Sequence, residues 1–284
     1  MIVLKVFRRF ELYTKFFIWR LFPTLAIYYY RRKRLKHDVI VLLIHQGLGD
    51  LSAMASAIKV ASSQHSIVYV VTKKEFFDTI GLLFEFSENI RNINSVEGKT
   101  KRFKVSPNFI KDLKKLGHLI KFGLFDNDPK FEYPNSFYIK FGFNPRIATK
   151  KFNFDHTKYF TLELEKFLKS VKKEFIFYSN ETTDGFLQSH YIDKFDKTYD
   201  IITCFSNFQK ESSRVHDISE LNRYNFVRQV LNSIYICALS KHIIISDAGF
   251  FNILIRLVHN IDIRVIWRKH PLSLNKEIYG VYLK

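Results

Sequence analysis

The chain has little of what staples small or metal-dependent folds together. Of its 284 residues only Cys204 and Cys237 are cysteines. Both sit in apolar runs and read as buried thiols rather than as a disulfide or a metal site. No C-x-x-C or H-E-x-x-H spacing occurs, so structural zinc is not expected. So few cysteines suit a reducing compartment. A long apolar run is missing too: a spanning helix needs about 20 such residues, and Arg20 and Pro23 interrupt the stretch near the N-terminus. The charges there are scattered and no small-residue cleavage site follows an apolar core, which argues against a cleaved signal peptide. There is no strong internal repeat and no low-complexity tract.

Acidic residues are scarce where cations are dense. Residues 1–36 hold ten Lys/Arg against a single acid, Glu11, a net +9 out of +18 for the whole chain. Phe7, Phe10, Phe16, Phe17, Trp19, Phe22 and Tyr28 to Tyr30 are interleaved with them. Two behaviours fit such a segment. It can lie as a basic amphipathic element on an anionic membrane surface, or pack its aromatic side on the body and leave its cations in solvent. Nucleic acid is set aside as a partner, because no recognised nucleic-acid motif accompanies the segment. The expected location is cytoplasmic, peripheral on the membrane if the first behaviour holds.

What is plentiful is material for a core: hydrophobic residues make up 47% of the chain. The length suits one large domain or two ordinary ones. The organising stretch is Val39–Asp50, VIVLLIHQGLGD. A continuous apolar run closed by glycines reads as a strand buried on both faces. Gly47 and Gly49 allow a sharp turn and a close approach of ligand to backbone, and Asp50 is expected at or near the N-cap of a helix over Leu51–Ala61. Strands over Ser66–Thr72, Arg91–Val96 and Leu119–Phe125 alternate with helices over Lys74–Phe84, Pro107–Leu116 and Ser136–Phe143. The breakers between 144 and 160 place a boundary near 150. Beyond it the alternation resumes: helix Leu162–Val171, strand Glu174–Tyr178, polar turn Ser179–Gly185, strand Tyr199–Phe205, polar loop Ser206–Ser219, helix Tyr224–Leu239, strand His242–Ser246, helix Phe250–Val258 and strand Ile261–Trp267. Strand–helix alternation of this kind predicts α/β architecture with parallel sheets covered on both faces.

Two strand–turn–helix junctions stand out, Gly47–Asp50 in the first half and Asp247-Ala248-Gly249 in the second. Helix N-termini there would offer unpaired N–H groups and a positive dipole end to an anion such as phosphate. Each turn alone decides little, since a capping Asp also explains it.

Taken together, HQGLGDLSAMASAIKVAS and HDISELNRYNFVRQVLNSIYICALSKHIIISDAGFFNILIRL resemble the inverting GT-B glycosyltransferases of the heptosyltransferase-like group, with their G-x-G-D and D-[ST]-G turns. The opening is also similar to that of viral and bacterial proteins with an H-x-G-L-G-D start. The resemblance implies two Rossmann-like domains facing across a cleft: an acceptor domain over 37–150 and a nucleotide-sugar domain over 151–284, preceded by the basic segment 1–36. It implies Asp50 as general base, with His45 a second candidate and Gly47 and Gly49 beside the acceptor. Asp247, Ala248, Gly249 and Asn252 would lie under the donor diphosphate. Lys210, Arg214, Arg268 and Lys269 are candidate cations for the leaving group. No metal and no cofactor is expected beyond the nucleotide sugar as co-substrate. The acceptor would be a glycan or a lipid-linked sugar. Ala248 stands where the group has Ser or Thr, and Asn252 where a His is frequent.

The chemistry is consistent with those residues. A hydroxyl is a poor nucleophile at neutral pH, and a carboxylate, ionised there by its reference pKa near 3.9, can take its proton. Two alternatives stay open. One is a GT-B-like module that binds a membrane surface without activity, which Ala248 and Asn252 favour. The other is a Rossmann-type oxidoreductase. Against that one, the first turn lacks the third glycine of G-x-G-x-x-G, and Lys73 and Lys74 stand where a ribose-binding acid belongs.

Overall fold

The computed structural model describes residues 22–44, 47–95, 105–122, 135–144, 147, 160–171, 174–182, 185–186, 198–204, 215–218, 221, 226–246, 250, 253–254, 257–258 and 261–266. The chain forms two compact units, Met1–Lys74 with Phe86–Thr149, and Glu75–Glu85 with Lys150–Lys284.

In the first unit, helix α1 (Pro23–Arg34) leads to strand β1 (Val39–Leu43), helix α2 (Leu48–Ser62) and strand β2 (Ile67–Thr72). Helix α3 (Lys74–Phe84) follows and belongs, but for its first residue, to the second unit. Strand β3 (Ile90–Asn94), helix α4 (Pro107–Leu116), strand β4 (His118–Lys121) and helix α5 (Asn135–Phe141) complete the first unit. Its sheet has the order β3-β2-β1-β4, and every pairing is parallel. β1 is central and apolar throughout, and Ile40 to Leu43 are buried, as a strand covered on both faces requires. Val41, Leu43 and Val71 pack with Leu113 of α4, and Phe109 and Leu119 flank them. Helix α2 is buried along most of its length. Ala53, Ala55, Ala57 and Ala61 keep it slim, and Tyr138 of α5 donates a hydrogen bond to the Ala53 carbonyl. Local chemistry sets the ends of other helices. Ser106 caps α4 by accepting from the Phe109 N–H at 3.2 Å, and Pro107 stands in its first turn. Helix α5 ends at Gly142, whose φ of +77° is the left-handed region. The Gly142 N–H bonds to the Ile139 carbonyl and the Phe143 N–H to the Tyr138 carbonyl, both at 2.9 Å.

The second unit contains helix α6 (Leu162–Ser170), strand β5 (Phe175–Ser179), the short pair β6 (Glu181–Thr182) and β7 (Gly185–Phe186), and strands β8 (Asp200–Thr203) and β9 (Val215–Asp217). Helix α7 (Phe226–Leu239) and strands β10 (His242–Ser246) and β11 (Asp262–Ile266) follow. The sheet order is β11-β10-β5-β8-β9, again parallel throughout. Ile176, Tyr178, Ile201 and Ile244 form its core on one face. Phe76 of α3 lies 5.5 Å from Phe226 between ring centres. Cys204 and Cys237 are buried thiols. The Gln229 amide donates to Cys204 Sγ at 3.6 Å, and burial, with Cys204 beside it, pushes the Cys237 thiol well above its usual pKa.

Several expectations need correction. The polar loop Ser206–Ser219 contains a strand, β9, recruited by pairing with β8, and the turn Ser179–Gly185 holds the β6–β7 pair. Helix α2 starts at Leu48, three residues earlier than expected, because Gly47 rather than Asp50 holds the N-cap; Asp50 lies within the first turn. In the N-terminal helix the aromatic side is not packed on the body, and one cation is. Phe22, Leu25, Tyr28 and Tyr29 are exposed, while Arg34 is 1% exposed. The Arg34 guanidinium meets specific acceptors through Nε and Nη1, while Nη2 has no partner among the described residues. It donates to the Phe141 carbonyl (2.8 Å), Gln64 Oε1 (2.8 Å) and His65 Nε2 (2.7 Å), and stands over the Phe143 ring at 4.4 Å. Residues 1–21 lie outside the described residues. Among the described residues, no helix is long and apolar enough to cross a membrane.

Candidate functional site

The order β3-β2-β1-β4 makes the carboxyl ends of β1 and β4 the switch point of the first sheet, where the chain changes direction of winding. Ligands of open α/β sheets bind at that position. β1 hands over to it in register: the Ile44 N–H still bonds the Val71 carbonyl and the Phe122 N–H the Leu43 carbonyl, both at 3.1 Å. Gly47 follows with φ 165° and ψ −178°, an extended conformation open to any residue. A Cβ built on Gly47 meets nothing within 4 Å. Glycine is therefore not demanded here by the backbone or by packing among the described residues, and open space lies beside the half-buried helix entrance. The first-turn N–H groups of α2 lack partners within the helix, as all helix starts do. Only at Leu51 does the ladder begin, with its N–H reaching the Gly47 carbonyl at 3.3 Å. Asp50 stands in that turn at 9% exposure, where the dipole favours its carboxylate. Ser52 Oγ donates to the Gly49 carbonyl at 2.9 Å and fixes the turn from inside.

The second sheet has its switch point between β5 and β10. β10 ends at Ser246, the residue before Asp247. Small polar side chains terminate its strands: Ser179 in β5 with Asn180 after it, Thr203 in β8 and Ser246 in β10, all buried. These were not singled out from the sequence, although a polar residue closing an apolar run (FIFYSN, HIIIS) was the available signal. Beyond the turn, Phe250, Ile253, Leu254, Leu257 and Val258 are buried at helical spacing, and Phe250 lies 6.0 Å from Phe177 between ring centres.

The structure thus places Gly47, Gly49 and Asp50 together at one switch point. His45, Lys210, Arg214, Asp247, Ala248, Gly249, Asn252, Arg268 and Lys269 lie outside the described residues. So does Asp126-Asn127-Asp128, a D-x-D spacing that stands against the expectation of metal independence, which rests on there being none. Among the described residues, no three His, Cys, Asp or Glu side chains are grouped to hold a metal ion.

No family of known proteins matches the sequence, and no curated protein does. Solved structures do match. The dodecameric iron-containing heptosyltransferase TibC, solved with ADP-D-β-D-heptose, superposes with a TM-score of 0.52 over 81% of this chain at 12% identity. TibC from enterotoxigenic E. coli H10407, solved as a bacterial iron-containing dodecameric glycosyltransferase, gives the same TM-score and identity. The fold is GT-B-like. ADP-heptose LPS heptosyltransferase II of E. coli matches 86% of this chain and 98% of its own length, with a TM-score of 0.50 and 11% identity. The chain spans 58% of the length of TibC. At these identities the likeness is one of fold.

Proposed function

We propose that the chain is a glycosyltransferase that moves a sugar from a nucleotide-sugar donor to a glycan or lipid-linked acceptor, with inversion and without a metal. The observation that carries this is the placement of the Gly47–Asp50 turn. In a fold shared with heptosyltransferases, a helix entrance with open space beside Gly47 and a carboxylate meet at the switch point of the first sheet. In this scheme the first half binds the acceptor and the second the donor, with Asp247, Ala248, Gly249 and Asn252 under the diphosphate and Lys210 and Arg214 as its cations. The acceptor oxygen attacks the anomeric carbon from the face opposite the leaving group. Its proton passes to Asp50, with His45 as the second candidate base. The bond from the anomeric carbon to the diphosphate oxygen breaks, and the electron pair leaves with the nucleoside diphosphate. N–H groups and cations stabilise that growing charge. The enzyme works on the cytoplasmic side, with the basic segment 1–36 held to an anionic membrane surface through charges and exposed aromatic rings.

The test is release of nucleoside diphosphate from a panel of sugar nucleotides, with and without a chelator. Asp50→Asn should lower turnover by about 10²–10⁴-fold while the protein stays folded and binds donor. An Asn variant with turnover close to that of the wild type excludes the role.

Ala248 and Asn252 favour a second reading, a module without activity that binds membrane through the same exposed Phe22, Leu25, Tyr28 and Tyr29. Binding to anionic vesicles with no diphosphate release from any donor would select it, and binding of NAD(P) instead would select an oxidoreductase.

A further inference from the structure

The amino-terminal edge of the first sheet, opposite the Gly47–Asp50 turn, holds a cavity of about 670 Å³. Lys36, His37, Asp38 and Val39, entering β1, line it, with Lys114, Gly117, His118 and Leu119 at the junction of α4 and β4. The size is ordinary for a small-molecule site, but the edge is not the one on which α/β sheets present their ligands. Its chemistry is cationic. The Lys36 and Lys114 side chains belong to exposed residues. The rings of His37 and His118 stack at 4.4 Å between centres, 6° from parallel. The one carboxylate present, Asp38, is engaged elsewhere: its Oδ2 accepts from Ser66 Oγ at 2.6 Å and its Oδ1 from the Ser66 N–H at 3.3 Å.

We propose that this cavity binds a phosphate monoester, with the Lys36 and Lys114 ammonium groups as its charge partners and the stacked His37 and His118 rings as hydrogen-bond donors. Two lysines and two protonatable rings match a dianion better than a singly charged carboxylate. A cavity of 670 Å³ exceeds a bare phosphate and leaves room for the group that carries it. The lining sets two lysine charges against the one carboxylate of Asp38. Burial, then the neighbouring His37, Lys33 and His65, hold His118 down to about 4, so its ring is neutral at physiological pH. A dianion between the lysines favours the protonated form of His118 and raises the proton affinity of that ring. The proposal stands on the first unit alone and is independent of any catalytic activity.

The carrier of the phosphate is either a soluble metabolite or the headgroup of a lipid, since exposed Tyr28, Tyr29, Arg31, Arg32 and Lys33 of α1 run towards Lys36. Two measurements on the full chain separate them. In the first, histidine Cε1–H resonances are titrated with pH in inorganic phosphate and in chloride of equal ionic strength. Phosphate should move the His37 and His118 signals and raise the proton affinity of His118 on the order of tenfold. His216, a residue of the second unit, should stay put. The double variant Lys36→Ala/Lys114→Ala, at exposed positions that leave the fold intact, should lose the response. In the second, co-sedimentation compares vesicles carrying phosphatidic acid with phosphatidylserine vesicles of equal surface charge. A preference for phosphatidic acid that the double variant lacks assigns a lipid headgroup, and a phosphate response without that preference assigns a soluble ligand. Absence of both the phosphate response and the preference overturns the proposal, as does a response that survives in the double variant.

Discussion

The two ends of strand β1 are built from different materials. At its amino end, side chains do the joining. Arg34 Nη1 donates to His65 Nε2 at 2.7 Å, His65 Nδ1 meets the His37 carbonyl at 2.8 Å, and His37 stacks on His118. An arginine can only donate and a carbonyl can only accept, so His65 must be neutral with its proton on Nδ1. Burial, the largest influence, holds its pKa below the usual histidine value in agreement. At its carboxyl end the chain offers a helix entrance with open space beside Gly47. Substitutions at the amino end should therefore act on stability, and substitutions at the carboxyl end on ligands.

The largest effect expected is at Arg34. Arg34→Ala leaves three acceptors without their donor and a space beside Phe141 and Phe143, and should cost on the order of 3 kcal/mol, read as a lower urea midpoint. Arg34→Lys keeps the charge but not the planar fork, and should recover less than half of that loss. A midpoint unchanged by Arg34→Ala would erase the contrast between the two ends.

Gly117→Ala comes next. A Cβ at Gly117 would stand 2.5 Å from the Val39 carbonyl oxygen and 2.9 Å from Val39 Cγ1. The backbone φ there is 171°, so the penalty is purely steric, about 2 kcal/mol in chemical denaturation. A smaller contribution comes from His118. Its folded pKa, about 4, lies below the unfolded value of 6.5, so the unfolded chain binds more protons between them. Stability is then complete above about pH 6.5 and falls as the pH drops towards 4, by roughly 1–2 kcal/mol once solvent screening of a partly exposed ring is allowed for. His118→Gln should flatten that part of the pH profile.

The smallest change in stability should come from Gly47→Ser. Position 47 is an extended N-cap with open space where a side chain would stand, and serine can cap the helix. The variant should gain a few tenths of a kcal/mol in thermal unfolding while losing transfer activity, because the hydroxymethyl group covers the entrance. Unchanged turnover would reduce the turn to a structural one.

Legibility from sequence follows the same division. Lys74–Phe84, Pro107–Leu116 and His242–Ser246 could be bounded correctly because apolar periodicity and a proline at a helix start are local signals. The Gly47–Asp50 turn was legible as a place, although the frame of the helix was not: nothing local says whether Gly47 or Asp50 caps it. β9 is three residues long and exists through its pairing with β8, which no window of sequence contains. The burial of Arg34 could not be read either, since its partners Gln64, His65 and Phe141 are remote in the chain. Nor could the meeting of His37 with His118, which parallel pairing of β1 and β4 brings about.

The two thiols of the second unit have a practical consequence. Thiolate, not thiol, reacts with electrophiles, and Cys204 and Cys237 are both fully buried, with Cys237 held protonated far above neutral pH. The native protein should therefore ignore maleimides. A cysteine introduced at an exposed position, such as Lys111→Cys on α4, would take up a fluorophore or spin label alone, without removal of the natural pair. Probes of distance or motion can thus be attached to the wild-type framework directly.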